Sequence, residues 1–131
     1  MKTTTLNSTV ERICDAIQSR QRFLVTSHAR PDGDSIGSQL AIAYALELLG
    51  KDVRIVNADP APGHYMEFPG LDRIEITREV VETNTDALIV MESGDLARTG
   101  VAGLEGRIES RCCCAITAIS RGSTTSSYRS R

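Results

Sequence analysis

One histidine and two aspartates lie within seven positions of the stretch SHARPDGDSIGS, residues 27–38. His28, Asp32 and Asp34 have side chains that bind divalent metal ions, and they follow a short apolar run, RFLVT. The turn at residues 31–33 can fold the loop back, because proline fixes φ and glycine permits positive φ. Two carboxylates held close together repel each other, and a bound cation relieves that repulsion. The spacing therefore predicts a metal site.

The residues after this loop carry apolar side chains at helical spacing, which predicts a helix from 35 to 49. The start of a helix offers free backbone N–H groups that favour a phosphate. Gly37 and Ser38 leave room for a ligand there, so we expect them to bind substrate together with Ser35. Oxygen ligands with one nitrogen suit Mn²⁺ or Mg²⁺ better than a metal that prefers thiolates.

Each of these residues also has a purely structural explanation. Asp34 can be the N-cap of the helix, which alone stabilises a helix by about 1 kcal/mol. Gly33 can serve only the turn, and His28 can simply bond a backbone carbonyl. Taken singly, the structural explanation is favoured for each residue. Their coincidence where a strand meets a helix favours a metal and phosphate site instead.

A second polar cluster, ESGD, directly follows the apolar run DALIVM. If both runs are parallel strands, Glu92 and Asp95 lie at the same sheet edge as His28. A carboxylate there can bridge two metals about 3.5–4 Å apart, a recurrent arrangement for phosphoester hydrolysis. We therefore expect Glu92 or Asp95 to be a metal ligand and Arg98 to bind substrate. The alternative is an acidic loop in which Asp95 caps a short helix from Leu96 and pairs with Arg98.

The order of elements along the chain predicts an α/β fold with a Rossmann-like, mostly parallel sheet flanked by helices. A first helix is expected at 8–19, where Ser8 and Glu11 fit a capping box. Strands are expected at 22–26, 52–57, 73–76 and 86–91, and helical turns at 64–67 and 79–83.

The composition sets limits on partners and compartment. The chain of 131 residues suits one domain, and its net charge of −2 gives no reason to expect binding to long DNA. No stretch approaches the roughly 20 apolar residues of a membrane span. Three of the four cysteines are consecutive, so they form neither a disulfide framework nor a zinc spacing. We therefore expect a cytoplasmic protein without a membrane partner.

After about residue 105 the sequence becomes rich in serine, threonine and arginine, and it loses any long apolar period. We interpret 8–105 as a domain and 106–131 as an atypical tail. The tail is expected to be disordered. A shifted reading frame is the other explanation.

At the residues described above, the sequence resembles the DHH phosphoesterase family, in particular its bifunctional oligoribonuclease and 3′-phosphoadenosine 5′-phosphate phosphatase branch. His28, Asp32 and Asp34 match the first motif of that family, and the likeness extends through LGKDVRIVN and FPG to DALIVMESGDLARTG. The resemblance implies two Mn²⁺ ions and, as substrate, short RNA or nucleoside 3′,5′-bisphosphates. Glu92 stands where a typical member has an aspartate.

The third motif of the family, Asp-His-His, does not occur in this sequence. We therefore expect a truncated DHH-type domain with weak hydrolysis or none, and whether it is an enzyme stays open. One alternative is a non-catalytic remnant that binds a metal or a nucleotide. An unrelated nucleotide-binding domain is less favoured, because neither G-x-G-x-x-G nor a P-loop motif is present. Whether the chain forms a homodimer stays open.

Overall fold

The computed structural model describes residues 2–81, 84–104, 114–118 and 127–129. Its strands and helices alternate along the first half of the chain, as expected for an α/β protein. In chain order they are α1 (Lys2–Gln18), β1 (Arg22–Ser27), α2 (Gly33–Leu48), β2 (Asp52–Asn57), β3 (Ile74–Ile76), β4 (Ala87–Met91), β5 (Cys114–Ala118) and β6 (Ser127–Arg129). Short 3₁₀ turns lie at Gly63–Tyr65, Leu71–Arg73 and Leu96–Thr99.

The strands form one sheet in the order β3-β2-β1-β4-β5-β6. The pairs from β3 to β5 are all parallel, and β6 is antiparallel to β5. The chain runs outward from β1 to β3 on one side and then crosses to β4 on the other side of β1. In sheets of this type, ligands bind beyond the carboxyl ends of the strands at the point where the strand order reverses. That point lies between β1 and β4.

The two central strands are buried on both faces, as their nearly continuous apolar sequences indicate. Phe23 and Val25 of β1 pack into a core that includes the buried face of α2, while Leu24 faces a second core. The same alternation continues in β4, where Ile89 joins the first core and Leu88 the second. The second core is completed by Val80, Val101 and Leu104, among others.

The two helices begin earlier than the sequence predicted. α1 starts at Lys2, so Ser8 lies inside the helix and the predicted capping box is wrong. Leu6 lies four residues before Val10, so the helical spacing of apolar residues already begins upstream of Ser8, which explains the longer helix. α2 starts at Gly33 because Asp32, rather than Asp34, is its N-cap. Among the described residues, no helix is both long and apolar enough to cross a membrane.

One other predicted feature also differs, and the division into a domain and a tail stays a prediction. Glu79 forms an isolated parallel bridge with Ala102, so residues 79–81 are not the predicted turn of helix, and 82 and 83 lie outside the described residues. Within the segment interpreted as a tail, the structure describes β5 and β6 as strands of the sheet. The other residues of 106–131 lie outside the described part, and the frame-shift explanation stays a hypothesis.

Asp86 joins the starts of β1 and β4 at the edge opposite the switch point. Its carboxylate accepts hydrogen bonds from the backbone N–H groups of Arg22 (2.9 Å) and Gln21 (3.2 Å) and pairs with the Arg22 guanidinium. Partial burial raises the pKa of this carboxyl, but the hydrogen bonds to Arg22 and Gln21 outweigh burial and hold it below its usual value. The ionised form therefore stabilises the folded chain.

Because the folded-state pKa of Asp86 is depressed, its contribution is present above the ordinary aspartate pKa of about 3.9 and is lost as the pH falls below it. We expect Asp86→Asn to lower the free energy of unfolding by about 1 kcal/mol at pH 7. Urea unfolding should show this difference from wild type shrinking between pH 4 and pH 2.5. The same change at exposed Asp15 serves as the control. A difference that stays constant with pH would contradict the assignment.

Candidate metal and phosphate site

The residues predicted to bind metal lie at the switch point. β1 and β4 are paired so that Ser27 lies opposite Met91, and the next residues are His28 and Glu92. The two loops that follow are joined by a hydrogen bond from the Ala29 N–H to the Arg98 carbonyl, 2.7 Å long. The strand-to-helix loop and the loop after β4 therefore form one edge, as the sequence predicted.

His28, Ser35 and Asp32 form a connected group at this edge. The Ser35 hydroxyl oxygen lies 2.7 Å from Nε2 of His28 and 2.9 Å from Oδ1 of Asp32. Nδ1 of His28 lies 2.7 Å from the Ala29 carbonyl oxygen. A carbonyl only accepts, so Nδ1 carries the proton, and the lone pair of a neutral ring lies on Nε2, facing the Ser35 hydroxyl. The backbone contact proposed as the structural explanation for His28 is thus present, and it fixes the tautomer in which Nε2 is the ring nitrogen that could bind a metal ion.

The chemistry of this donor set fits a divalent metal ion. The Ser35 hydroxyl has one proton, so with a neutral imidazole it can satisfy either Nε2 of His28 or Oδ1 of Asp32, but not both. A cation at Nε2 satisfies the remaining lone pair. The other oxygen of Asp32, Oδ2, lies 4.0 Å from Nε2.

Asp32 serves the helix as well as the site. Its Oδ1 accepts from the Ser35 backbone N–H at 2.9 Å, which is the N-cap bond of α2. This backbone bond, followed by the Ser35 hydroxyl, lowers the pKa of Asp32 below the usual aspartate value. The side chain is 57% exposed, so solvent screens the charge of this carboxylate. The carboxylate is ionised at neutral pH, as a metal ligand must be.

The other two predicted ligands are less closely grouped. Asp34 is exposed in the first turn of α2, and Glu92 is half-buried immediately after β4. In the parts of the chain that the structure describes, no three histidine, cysteine, aspartate or glutamate side chains lie close enough to hold one metal ion. The structure thus brings His28 and Asp32 together, and metal ligation by all four residues stays a prediction.

The predicted substrate-binding residues have different surroundings. Ser35 is fully buried and its hydroxyl contacts His28 and Asp32, so it positions those two side chains. Gly37 and Ser38 are half-buried on the next turn of α2. Arg98 is exposed in the 3₁₀ turn after β4. Asp95 caps that turn by accepting from the Ala97 N–H at 2.9 Å, which confirms the structural alternative for Asp95.

Two residues at this edge have left-handed backbone conformations without being glycine. They are Arg30, with φ of 51°, and Glu92, with φ of 58°. Such conformations cost free energy and cluster at functional sites. The Arg30 N–H donates to Oδ2 of Asp59 at 2.9 Å, and Asp59 also accepts from Arg78 at 2.8 Å. The loop after β1 is therefore held in its unusual conformation by the loop after β2.

A buried polar group behind the site was not predicted from the sequence. Gln39 and Asn57 exchange two side-chain hydrogen bonds, of 2.8 and 3.0 Å, and both are almost completely buried. The Ser27 hydroxyl also donates to Oδ1 of Asn57 at 3.3 Å. Since Ser27 precedes His28, this group fixes the end of β1 against β2 and α2. The sequence feature that could have revealed this group is Gln39, a glutamine on an otherwise apolar face of α2.

No known protein-family model matches the chain. A solved structure does match: the crystal structure of an exopolyphosphatase-related protein from Bacteroides fragilis superposes on 86% of the chain with a TM-score of 0.69. The two proteins share a fold. Their sequences are 19% identical, and the chain spans 34% of the exopolyphosphatase-related protein.

This shared fold confirms the predicted α/β class with its parallel sheet and flanking helices. At 19% identity the likeness to the exopolyphosphatase-related protein concerns the fold alone. Membership of the phosphoesterases, the metal and the substrate stay predictions.

Proposed function

We propose that this chain is part of a Mn²⁺-dependent phosphoesterase of the DHH type. The observation that carries the proposal is the group formed by His28, Ser35 and Asp32, in which Nε2 and Oδ2 are 4.0 Å apart at the start of α2. The position of this group at the switch point adds support, because that is where sheets of this type bind ligands. The shared fold with an exopolyphosphatase-related protein agrees with phosphate chemistry.

In this proposal His28 and Asp32 hold the metal ion, and Asp34 and Glu92 supply further oxygen ligands. A divalent ion supplies Lewis acidity toward a phosphate oxygen. The start of α2 binds the phosphate in this proposal, because helix N-termini favour anions, and Arg98 on the loop after β4 pairs with its charge. Mg²⁺ is the alternative ion. The substrates we propose are short oligoribonucleotides or nucleoside 3′,5′-bisphosphates.

We also propose that hydrolysis by this chain is weak or absent. The sequence has no Asp-His-His motif, so the ligands for a second metal are incomplete. A single ion can bind and polarise a phosphate, but a paired site is what clamps both the attacking and the leaving oxygen.

The experiment is a Mn²⁺ titration followed by hydrolysis assays with a trinucleotide RNA and with a nucleoside 3′,5′-bisphosphate. We expect stoichiometric Mn²⁺ binding and a turnover far below the ordinary range of about 1–10³ s⁻¹. Turnover within that range would contradict the incomplete site, whereas no metal binding would contradict the site itself. Apparent activity that is unchanged by a chelator would identify a contaminating enzyme.

A non-catalytic remnant is the second candidate, favoured by the fact that only two of the predicted ligands are close together. It binds one metal ion or a nucleotide and does not turn over substrate. The same titration separates the two candidates, because the remnant binds Mn²⁺ with no Mn²⁺-dependent hydrolysis at any substrate concentration.

A further inference from the structure

A cavity of about 350 Å³ lies between α2 and the segment that connects β2 to β3. This volume falls within the range of about 300–1,000 Å³ occupied by small-molecule sites. Its walls are mostly apolar, and Met66 and Phe68 remain 67% and 38% exposed. Two polar side chains, Asn57 and Asp72, also line it. Apolar walls with a few polar groups are typical of a ligand pocket.

The wall formed by the β2–β3 segment is held in place, although that segment has little regular structure. Gly70 has a φ of 86°, and a Cβ at this position would overlap the Tyr44 hydroxyl of α2. The Arg73 guanidinium pairs with Glu47 and lies 5.1 Å from the centre of the Tyr44 ring. The N–H of Phe68 also donates to the Tyr65 carbonyl at 2.9 Å. The cavity is therefore preformed, which reduces the entropy cost of binding.

The cavity wall includes residues that adjoin the supports of the proposed phosphate site. Ile36 of the cavity wall follows Ser35, whose hydroxyl contacts His28 and Asp32. Asn57 of the same wall accepts the hydrogen bond from Ser27 that fixes the end of β1. A ligand whose phosphate lies at the start of α2 can thus place its other end in the cavity.

That other end must be apolar enough for walls of methionine, phenylalanine and isoleucine, and it must offer hydrogen-bond donors to a carboxylate. A nucleobase with an exocyclic amino group has both properties, since its faces stack on aromatic and apolar side chains while its edge donates. A plain sugar phosphate lacks the apolar face, and a fatty acyl chain lacks the donor.

We propose that this cavity binds the base of a nucleotide, with Phe68 and Met66 against its face and Asp72 accepting a hydrogen bond from its amino group. This assignment rests on the proposed phosphoesterase function, because it takes the phosphate to lie at the start of α2. It names the substrate class more narrowly, as adenine, cytosine or guanine nucleotides.

The test uses methyl-labelled methionine in the full chain with Mg²⁺ present. Met66 lines the cavity, and Met91 ends β4 at the switch point, so their methyl NMR signals report on the two places separately. We expect adenosine 5′-monophosphate to shift both signals and ribose 5-phosphate to shift only that of Met91. The adenosine nucleotide should bind about tenfold more tightly than ribose 5-phosphate, given the usual effect of stacking one base.

Two variants and a matched control complete the experiment. Phe68→Ala should remove the tenfold preference over ribose 5-phosphate. Asp72→Asn should remove the preference for adenosine over purine riboside 5′-monophosphate, which lacks only the amino group. Asp52→Asn, at the opposite end of β2, should change neither preference. Urea unfolding of each variant establishes that it is folded.

The failures of the two proposals can be told apart. If ribose 5-phosphate shifts Met91 but no nucleotide shifts Met66, the base pocket is overturned and the phosphate site stands. If adenosine itself shifts Met66 but ribose 5-phosphate leaves Met91 unchanged, the phosphate site is overturned and the cavity binds bases independently of it. If none of these ligands shifts either methyl signal, the base pocket and the phosphate site are both overturned. A change of oligomeric state in Phe68→Ala, with nucleotide binding unchanged, shows that another copy of the chain occupies the cavity.

Discussion

Replacing Asp32 with asparagine is expected to abolish Mn²⁺ binding while leaving the chain folded. The two oxygens of Asp32 have different tasks: Oδ1 caps α2 through Ser35, and Oδ2 lies 4.0 Å from Nε2 of His28. Asparagine caps helices about as well as aspartate, so its amide oxygen can replace Oδ1. Its NH₂ group then takes the place of Oδ2 and cannot bind a cation.

The expected loss of Mn²⁺ affinity exceeds the roughly 10–100-fold typical of changes to groups that only support a ligand. The free energy of unfolding should fall by less than about 1 kcal/mol, because only the charge near the helix start is lost. Asp32→Ala should lose metal binding too, with a further cost of about 1 kcal/mol from the missing cap. Calorimetric Mn²⁺ titration and urea unfolding measure the two effects.

Asp52→Asn is the matched control, since it removes one exposed carboxylate at the opposite edge of the sheet. It should leave Mn²⁺ affinity unchanged. Retention of wild-type affinity by Asp32→Asn would remove Asp32 from the metal site and, with it, the main support for the proposed function.

Gln39→Leu is expected to destabilise the chain by about 1–3 kcal/mol, because it leaves the buried Nδ2 group of Asn57 without an acceptor. The Nδ2 group of Asn57 loses its acceptor, and Oδ1 keeps only the longer bond from Ser27. Chemical denaturation at pH 7 gives the magnitude. Exposed Gln18→Leu provides the comparison and should change stability by no more than about 0.5 kcal/mol.

The double variant Gln39→Leu/Asn57→Leu tests the coupling between the two amides. Replacing both partners removes the unsatisfied atoms, so its cost should be smaller than the sum of the two single costs. Additive costs would show that the exchanged hydrogen bonds contribute little. Mn²⁺ affinity should also decline in Gln39→Leu, because Ser27 and the end of β1 lose their support.

The sequence determined the α/β class and most element positions. β2 was predicted at the observed residues, and β1 and β4 within one residue, because buried parallel strands are nearly continuous apolar runs. Helix boundaries were less well predicted. Either Asp32 or Asp34 could cap α2 by residue type, and the choice depends on which carboxylate the turn at Pro31 brings to the Ser35 N–H.

The chemistry of His28 and Asp32 followed from residue type and from their place after a strand, since local spacing alone brings residues four apart together. Only the tertiary structure decided what surrounds them. It paired β1 with β4, joined the loops after them through Ala29 and Arg98, and buried Gln39 against Asn57. These contacts link residues distant in the chain, and a single sequence does not encode such pairings in any local pattern. The cavity beside α2 is also a product of tertiary packing, because it lies between α2 and the β2–β3 segment, and no local sequence pattern links these two parts of the chain.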